Sequence, residues 1–318
     1  MVLLDAVRDV APEERVPAGL DDMLRAHLRH SVITDPGPHA RRLEHLPADP
    51  RALMVIVAGI FAHYTRDIEG TGYRLPPERL AEVDDRFVRR MLDRVVSMDP
   101  RPIEVERPLP LRCIGICRDA GVLLCSLMRT VGIPARVRFG LVHEMGDPRR
   151  PLVDHVLVEH WCAGEGRWKL SDRLHPALRD RVPEILDDLT DVPADDFITG
   201  GQAWLLAHEG TRTRFRLSGY HLDADRGWWR SRNLFLYDLA SLCGCEPQLW
   251  DAWGYIRRNA AYAPTGRLQF ERLDRLAQLD PRDPAQWAEL RHLYRAHHHV
   301  RMPGRVLSYS PVSGIRPV

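Results

Sequence analysis

Cys117, His155 and Asp172 follow one another along the chain with the residue types of a nucleophile, a base and an orienting carboxylate. A thiol becomes a useful nucleophile when its thiolate is stabilised, and the start of a helix does this through its unpaired N–H groups and its dipole. The run CRDAGVLLCSLMRTV predicts a helix from about Cys117 to Val131, with Leu124, Leu127, Met128 and Val131 on its apolar face. Gly132 and Pro134 supply the stop. Gly115 allows a sharp entry into that helix, and the Cys117 N–H is placed to donate to an oxyanion held beside the sulfur. The chemistry implied is covalent: the thiolate attacks a carbonyl, an imidazole takes and returns the proton, and a carboxylate fixes the imidazole tautomer.

The base must then be delivered by other elements. After Pro134 the pattern changes to period two: Ala135, Val137, Phe139 and Leu141 alternate with Arg136 and Arg138, predicting a half-buried strand. Two more strands, Val153 to Trp161 and Trp168 to Asp172, flank a Gly164-Glu165-Gly166 turn. A four-residue loop from Ala163 to Gly166 pairs Cys162 with Arg167 and sets Leu157 opposite Asp172, so His155 becomes the diagonal neighbour of Asp172 on one face. A one-residue slip would turn Asp172 to the other face.

Competing residues are weaker. Cys125 lies two turns inside the helix among Val122, Leu124 and Met128, where packing explains it. His160 has the wrong parity to share a face with His155 and reads as solvated or structural. Cys113, Cys162, Cys243 and Cys245 read as structural. Arg136 and Arg138, if exposed, would suit a substrate carboxylate or phosphate, against the plainer reading of solvated surface. Trp204, Trp228, Trp229, Trp250 and Trp253 would wall a pocket or fill a core. The His297-His298-His299 run reads as a surface tract at the end of a helix, and the acidic run from Asp187 to Asp196 as caps and loop, not a calcium site.

The segments CRDAGVLLCSLMRTVGIPARVRFG and DHVLVEHWCAGEGRWKLSD, within about residues 113 to 173, resemble the core of the transglutaminase-like superfamily. The resemblance implies a papain-like α+β fold in which the Cys-bearing helix packs on an antiparallel sheet. It also implies a triad of a Cys at a helix start, a His in an H-x-x-x-E strand (His155 with Glu159) and an Asp closing a W-x-x-x-D strand (Trp168 with Asp172). Val156 and Leu157 stand where relatives commonly have Ala and Trp, which removes an aromatic wall beside the base. Residues 197 to 254, with FITGGQAWLL and LFLYDLASLCGCEPQLWDAWG, are similar to the C-terminal part of stand-alone bacterial members.

The rest of the chain frames this core. Helical periodicity places Ala52, Val55, Ile56, Gly59, Ile60 and His63 on one face, and Leu80, Val83, Phe87, Met91 and Val95 on a second helix that begins after Pro76-Pro77. A short helix is expected around Leu20 to Leu28, and others near Pro183 to Leu189, Thr199 to His208, Asn233 to Leu242, Leu268 to Ala277 and Pro284 to His297. The expected division is an arm over 1–49, a catalytic core over 50–176 and a mostly helical region over 177–318.

The 318 residues carry a formal charge of +1, which leaves no electrostatic footprint for nucleic acid or an anionic membrane. All but one of the 45 basic residues are arginine, Lys169 being the exception, and the 6 cysteines form no C-x-x-C pair that would announce zinc. No cofactor or metal is called for. The N-terminal apolar run is broken by Asp5, Arg8 and Asp9, so a cytoplasmic location is the expectation. The expected partners are a small-molecule or peptide acyl donor and an amine acceptor. The function expected first is acyl transfer forming an amide bond; an amidase or cysteine peptidase, and an inactive interaction module of the same fold, are the alternatives.

Overall fold

The computed structural model describes residues 21–143, 152–173, 189–208, 228–256 and 267–318. The fold is α+β, and the chain divides into two compact units, Met1–Arg136 with Leu157–Val192 and Val137–Val156 with Pro193–Val318.

In the first unit, α1 (Asp22–Leu28) is capped by Asp21, whose side chain accepts from the Leu24 N–H at 2.8 Å. After α2 (Ala40–Leu43), Asp49 and Pro50 start α3 (Pro50–Ile60), which buries Leu53, Met54, Ile56, Val57 and Ile60. Val55, expected on the inner face, is 38% exposed instead. The helix stops at Ile60 because the chain turns extended as β1 (Phe61–His63), pairing in parallel with β2 (Cys113–Gly115). The helix expected across Leu80 to Val95 is broken: a 3-10 segment, Pro77–Asp84, gives way to extended Asp85 and Phe87 before α4 (Val88–Met98). The break has a polar cause, since the buried Glu82 carboxylate leaves the helix line to accept from Arg79 and from the Ile114 N–H at 3.1 Å. Next comes α5 (Cys117–Thr130), which ends at Gly132 with φ 85.

A four-stranded sheet runs in the order β5-β4-β3-β6, made of β3 (Ala135–His143), β4 (Leu152–Cys162), β5 (Arg167–Ser171) and β6 (Ile198–Thr199). The chain passes from one unit to the other within β3 and back within β4. In the first unit β4 and β5 are antiparallel in the expected register, Cys162 opposite Arg167 through Val158 opposite Ser171, with Gly166 taking up φ 62 at the turn.

The second unit pairs β3 with β6 and covers β3 with helix. Its helices are α6 (Gly200–His208), α7 (Trp228–Leu242), α8 (Arg267–Gln278) and α9 (Pro284–Ala296), followed by a small sheet of β7 (Asp251–Ala252), β8 (Leu307–Ser310) and β9 (Gly314–Pro317). The Ser241 hydroxyl donates to the Val137 carbonyl at 2.7 Å and the Tyr237 ring lies 6.0 Å from Phe139, so α7 seals one side of β3. Of the helix expected near Pro183 to Leu189, residues 183–188 lie outside the described residues. No helix among the described residues is long and apolar enough to cross a membrane.

Candidate active site

Cys117 opens α5, and its surroundings explain why the helix starts there. The N-cap Ile116 is extended, at φ −115 and ψ −179, and its N–H donates to Asp119 Oδ2 at 2.8 Å. Asp119 therefore caps the first turn from within, at the third helical position where an acid can reach back to the N-cap backbone. Its Oδ1 accepts from the Arg118 guanidinium at 3.0 Å, and Arg118 also donates to the Arg86 carbonyl at 3.0 Å. Both side chains are buried. Gly115 is needed for close approach, not for a left-handed turn: a Cβ there would lie 2.6 Å from Asp119 Oδ2 and 2.9 Å from Phe61 Cε2.

From Arg112 to Arg129 every residue is buried except Cys117. A free thiol is thus held at the one solvent-reaching position of an otherwise sealed strand-helix junction, where the first N–H groups have no intrahelical acceptor. The other cysteines fit that role less well. Burial pushes the Cys113, Cys243 and Cys245 thiols up, and Cys125 is fully buried inside α5. Cys162 is partly exposed but sits at the end of β4, next to a turn.

Asp172 follows the last residue of β5. The paired register ends with Val158 opposite Ser171, one step short of the expected Leu157–Asp172 pair. The strand end is fixed on both sides: the Asp172 N–H donates to the Leu189 carbonyl at 2.9 Å, and Asp172 Oδ1 accepts from the Arg173 N–H at 2.7 Å. Arg173 then forks onto Asp67 with two bonds of 2.7 and 2.8 Å. Burial alone would raise the Asp67 carboxyl, but the Arg173 hydrogen bonds and charge, with the His63 N–H at 2.8 Å, hold it below the usual carboxylate range. His63 ends β1 and pairs with Gly115, so this ion pair ties the residue after Asp172 to the strand pair that leads into Cys117.

His155 is partly exposed on β4, in the stretch assigned to the second unit, whereas Cys117 and Asp172 belong to the first. Strand parity groups His155 with Leu157, Glu159 and Trp161, and Trp161 meets Trp168 edge-on at 5.7 Å on that side. His160 has the opposite parity and lies 3.0 Å from the Ser171 hydroxyl. It is structural and buried, not solvated; burial first, then the Lys169 charge, lowers it to about 4.

The two arginines of β3 are not available for substrate. Arg136 is fully buried against Glu159 at 2.8 Å, lies over the Trp168 ring at 4.0 Å, and has its Nη1 3.2 Å from His27 of α1. Arg138 forks onto Asp238 of α7 with two bonds of 2.9 Å, and Asp238 also accepts from the Phe139 N–H. β3 is buried from Ala135 to Leu141, so the arginines expected to face water are buried in ion pairs instead.

Trp204, Trp250 and Trp253 are core, while the side chains of Trp228 and Trp229 lie outside the described residues. The three consecutive histidines follow α9 instead of ending it, with the His298 and His299 rings 3.9 Å apart. Asp191 of the acidic run accepts from Arg167 at 2.9 Å, and Asp187 and Asp188 lie outside the described residues. Asp119, Asp67 and Arg173 were not singled out from the sequence, and His63 was read only as part of a helix face. Only Asp119 carries a local signal, an acid three positions after an N-cap.

Residues 87–172 match the model of the transglutaminase-like superfamily, a span that holds Cys117, His155 and Asp172. This segment is similar to a transglutaminase-like core. The coarse class that goes with it is a cysteine-based enzyme. No curated protein matches the chain. A solved structure, the "Putative Cysteine Protease from Cytophaga hutchinsonii", is similar at 14% identity and a TM-score of 0.34, over 58% of this chain and 49% of that one. The chain thus spans about half the length of that protein. The matched segment begins just before α4 and ends with the residue after β5, so it contains the thiol helix and the β4–β5 pair but not β1.

Proposed function

We propose that the protein is a cysteine acyltransferase, with Cys117 as nucleophile, His155 as base and Asp172 as the carboxylate that orients it. The Cys117 sulfur attacks the carbonyl carbon of an amide, ester or thioester donor while His155 accepts the thiol proton. The tetrahedral species collapses to a thioester on Cys117, and His155 returns the proton to the departing amine, alcohol or thiol. An amine acceptor then attacks the thioester, loses a proton to His155, and leaves as an amide, restoring the thiol. The donor is a small molecule or a peptide, and no cofactor enters any step.

The observation that carries this reading is the placement of Cys117, the one solvent-reaching residue of the stretch from Arg112 to Arg129, on the first position of a helix. The Cys117→Ala variant tests it. Turnover of an ester or amide donor should fall about 10⁴-fold or more with the unfolding midpoint unchanged. Unchanged turnover would leave an interaction module or a different nucleophile. Product analysis with and without added amine separates transfer from hydrolysis, since transfer gives an amide only when the amine is present.

A further inference from the structure

We infer that Phe197 decides between amine and water as the acyl acceptor, its ring filling one side of the base His155. The inference rests on the proposed roles of Cys117 and His155.

The placement is read from three neighbouring strands, and Gly140, His155 and Phe197 all belong to the second unit. The Trp161 N–H donates to the Pro134 carbonyl at 2.9 Å, and the Arg136 guanidinium meets the Glu159 carboxylate at 2.8 Å. The same register carries β3 and β4 to their other ends at His143 and Leu152, and on the way it sets Gly140 opposite His155. On its other edge Gly140 pairs with Thr199 of β6. Directly opposed residues share a face, with Cβ positions about 4.5–5.5 Å apart.

Gly140 has no side chain, and the place of one is taken. A Cβ there would lie 2.4 Å from Phe197 Cζ, 2.7 Å from Phe197 Cε2 and 2.4 Å from the Ile198 carbonyl oxygen. The Phe197 ring therefore occupies the position that a side chain would have next to His155, and only glycine leaves room for it.

Local structure fixes the ring. Pro193 opens a 3-10 turn, Ala194–Asp196, from which Phe197 emerges extended at φ −134 and ψ 110. A capping box then starts α6: the Thr199 N–H donates to Gln202 Oε1 at 2.9 Å, and the Gln202 N–H donates to Thr199 Oγ1 at 3.3 Å. Gly200 packs so closely on α7 that a Cβ would lie 2.8 Å from the Leu234 carbonyl oxygen. Phe197 is 1% exposed, whereas His155 is partly exposed. The base is thus walled on its β6 side and open to solvent on another.

Amine and water need the same proton removal. The amine nitrogen or the water oxygen attacks the thioester carbon and gives a proton to His155; the sulfur takes that proton as the carbon–sulfur bond breaks, leaving an amide or a carboxylic acid. With one side of the imidazole filled by an apolar ring, amine and water compete for the open side, so a saturating amine excludes water. A gap in place of the ring admits a water that no amine displaces.

The test loads Cys117 with a pulse of p-nitrophenyl acetate, removes the donor, and measures acetate and N-methylacetamide as methylamine is raised. In the parent the acetate share should fall toward zero at saturating methylamine. In Phe197→Leu it should level off at least about tenfold higher, and Phe197→Met, which refills part of the space, should fall between the two. An acetate share in Phe197→Leu equal to that of the parent would overturn the inference, as would equal slowing of both products, the mark of a general loss of packing. Should Phe197→Leu fail to fold, Phe197→Met decides: its acetate share must exceed that of the parent, and equality overturns the role. Acetate as the sole product of the parent, or no acetyl group on Cys117, would instead sink the acyl-transfer reading itself.

Discussion

Replacing Arg173 by Met removes the charge that faces the buried Asp67 carboxylate, and the resulting loss measures how firmly the end of β5 is tied to β1. The Arg173–Asp67 fork has N–O distances of 2.7 and 2.8 Å, with 1% of the Asp67 side chain exposed against 13% for Arg173. Two charges about 4 Å apart interact by about 4 kcal/mol at an effective dielectric of about 20. Removing one partner of such a buried pair costs about 3–5 kcal/mol, because the other charge remains without compensation. The burial asymmetry makes the cost asymmetric. Arg173→Met takes both charged hydrogen bonds from the deeper charge and should cost about 3–5 kcal/mol, whereas Asp67→Asn leaves a guanidinium that water can reach and should cost about 1–2 kcal/mol.

Urea unfolding of both single variants and the double variant reads these values as midpoint shifts at constant slope. Their pH dependence carries a second signature. In the parent the Asp67 carboxyl is held below its unfolded value, so its contribution is complete above that value and is lost as pH falls through the folded one. In Arg173→Met the Asp67 carboxyl loses the charge that lowers it and rises, so acid neutralises it and the gap between variant and parent narrows as pH falls. A cost below about 1 kcal/mol for Arg173→Met, or a larger cost for Asp67→Asn, would refute the reasoning.

Two other perturbations follow from buried polar groups. Asp119→Ala removes the acceptor of the Ile116 N–H and the partner of the Arg118 guanidinium, and should destabilise by about 3–5 kcal/mol in thermal or denaturant unfolding; a loss under about 1 kcal/mol would mean that the helix start is fixed by something else. His160 is lowered from 6.5 to about 4, so it stays neutral in the fold while the unfolded chain takes up its proton: stability is full above about 6.5 and declines as pH falls toward about 4. His160→Gln, which can still meet Ser171, should reduce the slope of stability against pH in that window by about one proton, and an unchanged slope would rule the assignment out.

The part of the fold that carries Cys117, His155 and Asp172 was legible where the signal is local. Period two, the Gly164 to Gly166 turn and the Gly132-Pro134 stop gave the register of β4 on β5 and the end of α5, and the structure reproduces both. Legibility ended where a long-range partner decides. β1 and β2 have three residues each and pair across about fifty residues of chain, so His63 read as the next position of a helix face. Arg136 and Arg138 had the right parity but the wrong solvent, since their partners Glu159 and Asp238 come from a neighbouring strand and from α7. Asp67 and Arg173 are separated by over a hundred residues, and nothing in either neighbourhood announces the pair.

The most direct test of the central claim is mass spectrometry of the acid-quenched protein after a short pulse of p-nitrophenyl acetate. One acetyl group per chain is expected, on the peptide that carries Cys117. The group should disappear when an amine acceptor is added and should never form in Cys117→Ala. Acetylation of Cys162 or Cys243 in its place, or labelling that survives Cys117→Ala, would contradict the assignment of Cys117 as nucleophile.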